Sequence, residues 1–290
     1  MCELFGFSSA ERMDLREYLW EFFSHSYIHR DGWGVCRFDD HGKGRITKEP
    51  VRALDSEVLD SVVKTYGRED LLLAHIRLAS IGSVKLANTH PFVQLVKGTD
   101  WVMIHNGTIR ISLPSARKPK GDTDSEQILL KIVDALETRK KKTIRNALEK
   151  TFRQLNWFGK VNVILSNGSK LYVYRNSESL YWSTDLPRKG IMIMTNPGDL
   201  RTKMKWTPVP CETLVEIQDG EVTYLGGKKS KRTAVASPVD YESSPDQTEL
   251  EMELDAIGEK YGIHTFVPAT GYRSDRRYRS YESLYDEGGE

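Results

Sequence analysis

The chain has 290 residues, room for one large domain or two small ones, and 39% of them are apolar, enough to build a core. Its 42 basic and 41 acidic residues leave a net charge of +1, so no overall field draws it to nucleic acid or to an anionic membrane. The three cysteines at 2, 36 and 211 form no CxxC pair, which argues against a disulfide framework and against a zinc ribbon. No basic stretch followed by an apolar run opens the sequence, and no apolar window is long enough to span a bilayer. A cytoplasmic setting is the simplest expectation.

In chain order, Cys2 to Phe7 reads as a short buried strand. Residues 11–28 then carry helical spacing through Leu15, Leu19, Phe22 and Phe23. Strands are expected at Trp33–Phe38 and Leu71–Leu78, with a helix from about 55 to 66 between them, striped by Val58, Leu59, Val62, Val63 and Tyr66. A further strand, Trp101–His105, is expected to end at the turn signal Asn106-Gly107. A long helix starts near Asp124, where Thr123 and Glu126 have capping-box spacing, and a second covers roughly 143–155.

The stretch from Val161 to Leu225 is β-rich, with expected strands at Val161–Leu165, Leu171–Tyr174, Leu180–Ser183, Ile191–Thr195, Leu214–Gln218 and Val222–Leu225. Asn167-Gly168 and Asp219-Gly220 are its clearest hairpin turns. Beyond Gly227 the composition turns polar and charged. The expected organisation is one domain over 1–227 and a tail without fixed structure over 228–290. Helices between strand blocks, without regular βαβ alternation, place the domain in the α+β class.

The chemistry starts at Cys2. Removal of Met1 would put a free α-amine on the nucleophile's own residue, and its ordinary pKa of about 7.7–8.0 suits a base for the thiol proton. Alone, Cys2 reads more simply as a buried cysteine that opens a strand. His75 and Arg77 lie two apart in a strand pattern and so share a face. A rigidly held guanidinium can clamp a carboxylate through two parallel hydrogen bonds. Asp124, in the first turn of a helix, has a purely structural explanation in capping and the helix dipole. His25 and His29, at i, i+4, have the spacing of zinc ligands but lack a third ligand and the accompanying glutamate; solvated or core histidines are the simpler reading.

Five segments occur together and in order: Cys2-Glu3-Leu4-Phe5-Gly6, Arg77-x-x-Ser80, Asn88-Thr89-His90-Pro91-Phe92, His105-Asn106-Gly107 and Gly121-Asp122-Thr123-Asp124-Ser125-Glu126. This set resembles the class II (N-terminal nucleophile) glutamine amidotransferases, and Asp31-Gly32-Trp33-Gly34 resembles their stand-alone members. The motifs run from residue 2 to about 136. Ser80 stands where the family usually carries threonine, so the hydroxyl is kept and the methyl is not.

The resemblance implies a four-layer αββα sandwich, the N-terminal nucleophile hydrolase fold. It implies that Cys2 attacks a glutamine γ-carbonyl, with its α-amine as base. Asn106 and Gly107 would form the oxyanion hole. Arg77 would hold the substrate α-carboxylate and Asp124 its α-ammonium, with Ser80 and His90 beside them. Asp31 and Trp33 would shape a turn rather than touch substrate. No cofactor or metal is required.

Three readings stay open from the sequence. The first is hydrolysis of glutamine or another γ-glutamyl compound by the chain itself. The second is a glutaminase subunit that passes ammonia to a separate synthase or other acceptor protein. The third is a non-catalytic binding protein, if Met1 is retained.

Overall fold

The computed structural model describes residues 2–138, 143–177 and 179–226. The expected tail over 228–290 lies outside the described residues. In chain order the structure runs β1 (Glu3–Asp14), α1 (Arg16–Ser24), β2 (Trp33–Phe38), β3 (Gly44–Glu49), α2 (Leu59–Tyr66), β4 (Arg68–Ile76), β5 (Phe92–Val96) and β6 (Thr99–Ile109). It continues through α3 (Asp124–Thr138), α4 (Ile144–Leu155), β7 (Gly159–Ser166), β8 (Leu171–Arg175), β9 (Tyr181–Ser183) and β10 (Gly190–Met194). Last come α5 (Leu200–Lys203), β11 (Thr207–Pro208), β12 (Val215–Gln218) and β13 (Glu221–Leu225).

Two sheets form, ordered β11-β9-β10-β1-β4-β2-β3 and β13-β12-β8-β7-β6-β5, and neighbouring strands pair antiparallel. Strand alternation sorts the apolar side chains into three layers. On β1, Phe5 and Phe7 pack with Leu19, Phe22 and Phe23 of α1, while Leu4 points the other way, towards Ile104 and Ile164 of the second sheet. On β6, Trp101 and Met103 meet Ile128, Leu129 and Ile132 of α3, whereas Val102 and Ile104 face the first sheet. The layers are therefore helix, sheet, sheet, helix, an αββα sandwich with α1 and α2 on one outside and α3 and α4 on the other. Full burial of each large side chain contributes about 1.5–3 kcal/mol.

The hairpins form where expected. Asp219 and Gly220 take φ of 52° and 71° between β12 and β13, the two positive values of a type I′ turn. Asn167 accepts the Ser169 and Lys170 N–H groups at 3.2 and 3.0 Å between β7 and β8.

Several elements depart from the sequence reading, among them β5 (Phe92–Val96), α5 (Leu200–Lys203) and β11 (Thr207–Pro208), which it did not expect. The helix expected from residue 11 starts at Arg16, because Met13 and Asp14 pair with Glu69 and Arg68 and extend β1. Strand β3 has no apolar run to announce it; Gly44–Glu49 pairs with β2 residue for residue. Asn106-Gly107 is not a turn. Strand β6 continues through it to Ile109, with Asn106 opposite Asn162 and Gly107 opposite Val161. Gly107 keeps the ladder only at φ 152°, and a Cβ there would overlap the Lys160 carbonyl.

Candidate active site

Cys2 sits immediately before β1. The pairing Glu3↔Ile76 brings it beside the residues that follow β4, and its Sγ donates to the Leu78 carbonyl at 3.4 Å. Burial pushes the thiol pKa upward; the nearby Arg77 charge opposes that shift and the Asp124 carboxylate adds to it. A thiol held in this way needs a base before it can attack.

On β6 alternation puts Asn106 on the face turned to the first sheet, with Val102 and Ile104. Asn106 is 2% exposed and its side-chain Nδ2 has no hydrogen-bond partner. A buried amide donor without an acceptor is costly, so it is retained where something else needs it. Cys2, Ser80, Asn106 and Gly107 line one cleft of about 490 Å³. Ser80 Oγ lies 3.4 Å from Thr108 Oγ1 across that cleft.

Arg77, His90 and Asp124 are buried and do not line it. Arg77 donates to the carbonyls of Ile81 and Gly82 at 3.1 Å and of Ser83 at 3.2 Å, which ties down the loop after β4. A guanidinium has five N–H donors, so this bonding leaves capacity for a further acceptor. Asp124 accepts from the Ile109 N–H at 2.7 Å and the Ser125 N–H at 2.9 Å, fastening the end of β6 to the start of α3. Half of the lone-pair sites of an ionised carboxylate remain after two such bonds.

The expected capping box is half formed. Thr123 Oγ1 accepts from the Glu126 N–H at 3.3 Å, but the Glu126 carboxylate turns to the Lys120 and Gly121 N–H groups at 2.9 and 2.7 Å. Asn88 performs a similar task nearby: its amide bonds Ser83 and Asp122, and it accepts from the Asp122 N–H at 3.0 Å. Asp31 accepts from the Ala79 N–H at 2.7 Å, so it shapes the loop beside Cys2, as expected.

Three buried histidines lie under the site. His75 and His90 stack with ring centroids 4.0 Å apart, and Phe92 meets His90 edge-on at 4.5 Å. Burial pushes both histidines well below the ordinary imidazole value, so both are neutral at pH 7. His75 Nδ1 and both ring nitrogens of His90 lack partners. His105 Nε2 faces the Lys160 carbonyl at 3.3 Å and must carry the proton; its Nδ1 then accepts from Ser125 Oγ at 2.9 Å.

Glu3, next to Cys2, bonds His25 Nδ1 at 2.7 Å and lies 3.7 Å from His29 Nε2. His25 also approaches Glu21 at 3.5 Å. Burial alone would lower the His25 pKa, but Glu21 and Glu3 overcome it and raise it to about 9. Two carboxylates therefore claim His25 and His29, and the described residues contain no cluster able to hold a metal ion.

Sequence reasoning missed Thr108, Arg110, Phe158 and Lys160, which line the cleft from the end of β6 and the start of β7. No short motif marks them, because the fold brings them together across an antiparallel ladder. The paired positions Thr108 and Lys160 are the direct case.

A profile of the family described as glutamine amidotransferases class-II matches residues 1–189. The putative glutamine amidotransferase YafJ of Escherichia coli is 30% identical over 254 residues, covering 76% of this chain and 96% of that one. The uncharacterized protein MJ1515 of Methanocaldococcus jannaschii is 30% identical over 183 residues, covering 61% of this chain; the match spans only 51% of MJ1515. The gamma-glutamyl-hercynylcysteine sulfoxide hydrolase of Mycolicibacterium smegmatis is 26% identical over 200 residues, covering 68% of this chain and 82% of that one. The fold matches the crystal structure of a predicted glutamine amidotransferase from Pseudomonas aeruginosa with a TM-score of 0.55 at 22% identity, covering 77% of this chain and all of that one. Among the described residues, no helix is long and apolar enough to cross a membrane.

Proposed function

Because the chain belongs to the class II glutamine amidotransferase family, we propose that it hydrolyses the γ-glutamyl amide bond of glutamine or a related γ-glutamyl compound through a thioester on Cys2. The observation that carries this reading is the shared cleft, in which the Cys2 thiol, the unpaired Asn106 amide and Gly107 stand together.

Met1 is removed, and the freed α-amine takes the thiol proton. Cys2 sulfur adds to the γ-carbonyl, and the oxyanion is met by Asn106 Nδ2 and the Gly107 N–H. Such a donor contributes about 2.7–4 kcal/mol to lowering the barrier. The C–N bond breaks, and the amine leaves with the proton that came from the thiol. Water then attacks the thioester, the C–S bond breaks, and glutamate and the free thiol are restored.

Arg77 holds the substrate α-carboxylate and Asp124 the α-ammonium, with Ser80 and His90 supporting the pocket. An amide lacking either charge leaves a buried ion unpaired, which gives selectivity for a free γ-glutamyl headgroup. Asp124→Asn is expected to raise KM while leaving the midpoint of thermal unfolding nearly in place.

Treatment with a glutamine-like diazoketone, followed by peptide mass spectrometry, tests the site. A single adduct on an N-terminal Cys2 is the expected result. No adduct with Met1 retained would move the protein to a non-catalytic binding role. Turnover of glutamine alone, and only with an added acceptor enzyme, would move it to a glutaminase subunit.

A further inference from the structure

The cleft at Cys2 is larger than the departure of ammonia requires. Beyond Thr108 its wall is made by Arg110, Phe158 and Lys160, and past Phe158 it adjoins an apolar groove of about 300 Å³. Ile111, Leu113, Leu155 and Trp157 line that groove. Trp157 is 86% exposed, Ile111 43% and Phe158 40%.

This exposure is not fraying. The corner between α4 and β7 is fixed by the Asn156, Trp157 and Phe158 N–H groups, which donate to Phe152, Gln154 and Leu155 at 3.1, 3.3 and 2.9 Å. Asn156 Oδ1 further accepts from Tyr174 and Asn176 at 3.0 Å each. Gly159, at φ 155°, follows directly because a Cβ there would overlap the Thr108 carbonyl. A rigid backbone thus presents a large aromatic ring to water in the groove that shares Phe158 with the Cys2 cleft. Aromatic side chains displayed with little conformational freedom are effective ligand anchors.

The charge of the wall is one-sided. Arg110 lines the cleft and Lys131 the groove, and the described lining residues include no carboxylate. Among the described residues Arg110, which lines the cleft, makes no ion pair, and its guanidinium suits a planar anion.

We propose that this corner is the leaving-group subsite, and that the favoured substrate is a γ-glutamyl amide whose amine part is flat, apolar and anionic, such as an arylamine or indolic amine carrying a carboxylate. The assignment rests on the γ-glutamyl hydrolase reading above. Phe158 and Trp157 stack on the ring and Arg110 takes the carboxylate, while Cys2 attacks the γ-carbonyl as for glutamine. The reaction that supplies such a substrate is a γ-glutamylation of the same amine.

The test compares kcat/KM for glutamine, γ-glutamyl anilide, its 4-carboxy derivative and its 4-trimethylammonio derivative. In the wild type the carboxy compound is expected to exceed the trimethylammonio compound at least tenfold. Arg110→Gln should reduce that preference to about twofold, and Arg110→Lys should restore part of it. Trp157→Ala should lower the anilide-to-glutamine ratio at least fivefold, mainly through KM. Both residues are exposed, so thermal midpoints should stay within a degree or two of wild type.

Charge selectivity and anilide preference that survive both substitutions would overturn the subsite. So would glutamine turnover with no anilide turnover, which would leave the hydrolase reading standing. Failure of every compound, glutamine included, without a diazoketone adduct on Cys2, would instead remove the hydrolase reading and the subsite with it.

Discussion

Glu216 on β12 and Asn106 on β6 are equally hidden, each 2% exposed, but their polar atoms meet different surroundings. The Glu216 carboxylate accepts from Arg145 Nε and Nη2 at 2.9 and 2.8 Å, from Lys170 at 2.8 Å and from Thr223 at 2.9 Å. The Arg145 bonds, helped by Lys170 and Thr223 against burial, hold its pKa down to about 2. Asn106 Nδ2 has no acceptor, and His75 and His90 nearby keep ring nitrogens unpaired. A fully satisfied network stabilises and gives nothing away. An unsatisfied one carries a standing cost that only a bound group offsets. Under the proposed function, the contrast separates structural polarity from working polarity within a single sandwich.

The sharpest way to break that contrast is to remove the proposed nucleophile. Cys2→Ala is expected to lower turnover by at least about a thousandfold while thermal unfolding stays where it was. Comparable turnover in that variant would end the assignment of the site. Asn106→Ala comes next: steady-state kinetics should show a kcat loss of about 10²–10³-fold. Chemical denaturation should change by less than about 1 kcal/mol, since the amide lost was unpaired. A large loss of stability without a kinetic effect would put Asn106 on the structural side with Glu216.

The ion pair behind Cys2 gives a smaller, pH-dependent effect. His25 has a folded pKa of about 9 against an ordinary 6.5. Its contribution is therefore fully present below pH 6.5 and is lost as pH rises through 9. Denaturant midpoints of wild type and His25→Gln should converge over that window, with a difference at low pH of at most about 3 kcal/mol. A gap that is constant with pH would show that Glu3 and Glu21 do not bind the charged ring.

The smallest effect is expected at Glu216. Glu216→Gln should cost about 1–2 kcal/mol in equilibrium unfolding, because Arg145 remains partly solvated and the loss is correspondingly muted. Turnover of the folded fraction should not change. The wild-type contribution is present above about pH 4.5 and is lost as pH falls through about 2. A fall in kcat would link the two regions that the contrast separates.

What was legible in the sequence followed from periodicity. The Ile128, Leu129, Ile132, Val133 and Leu136 stripe placed α3 by its regular buried face. The short apolar run Val161–Leu165 placed β7, whose side chains are buried on both faces of the sheet. Asn106-Gly107 misled for a physical reason. The dipeptide favours positive φ, and the structure uses that freedom at Gly107 to bring the backbone against Lys160 rather than to reverse the chain. Strand β3 was invisible because Gly44–Glu49 is held by pairing with β2 rather than by a buried face of its own.

Within the candidate site, residues in motifs could be named in advance, and residues joined only by register could not. Arg110 and Phe158 belong to the second kind, supplied by two strands that neighbour each other only after folding. Arg77 and Asp124 were legible as charges, but their present duties were not. Both hold backbone, and that follows only from the placement of the loop after β4 and the end of β6.

The corner that exposes Trp157 also makes the protein a source of its own optical signal. Of the six tryptophans, Trp33 and Trp101 are buried and Trp20, Trp182 and Trp206 are partly covered. Trp157 is open to solvent, so its emission should lie furthest to the red and a collisional quencher such as iodide should reach it first. Quenching that fades as the neighbouring groove fills would follow occupancy in real time, without a label and without waiting for a bond to break.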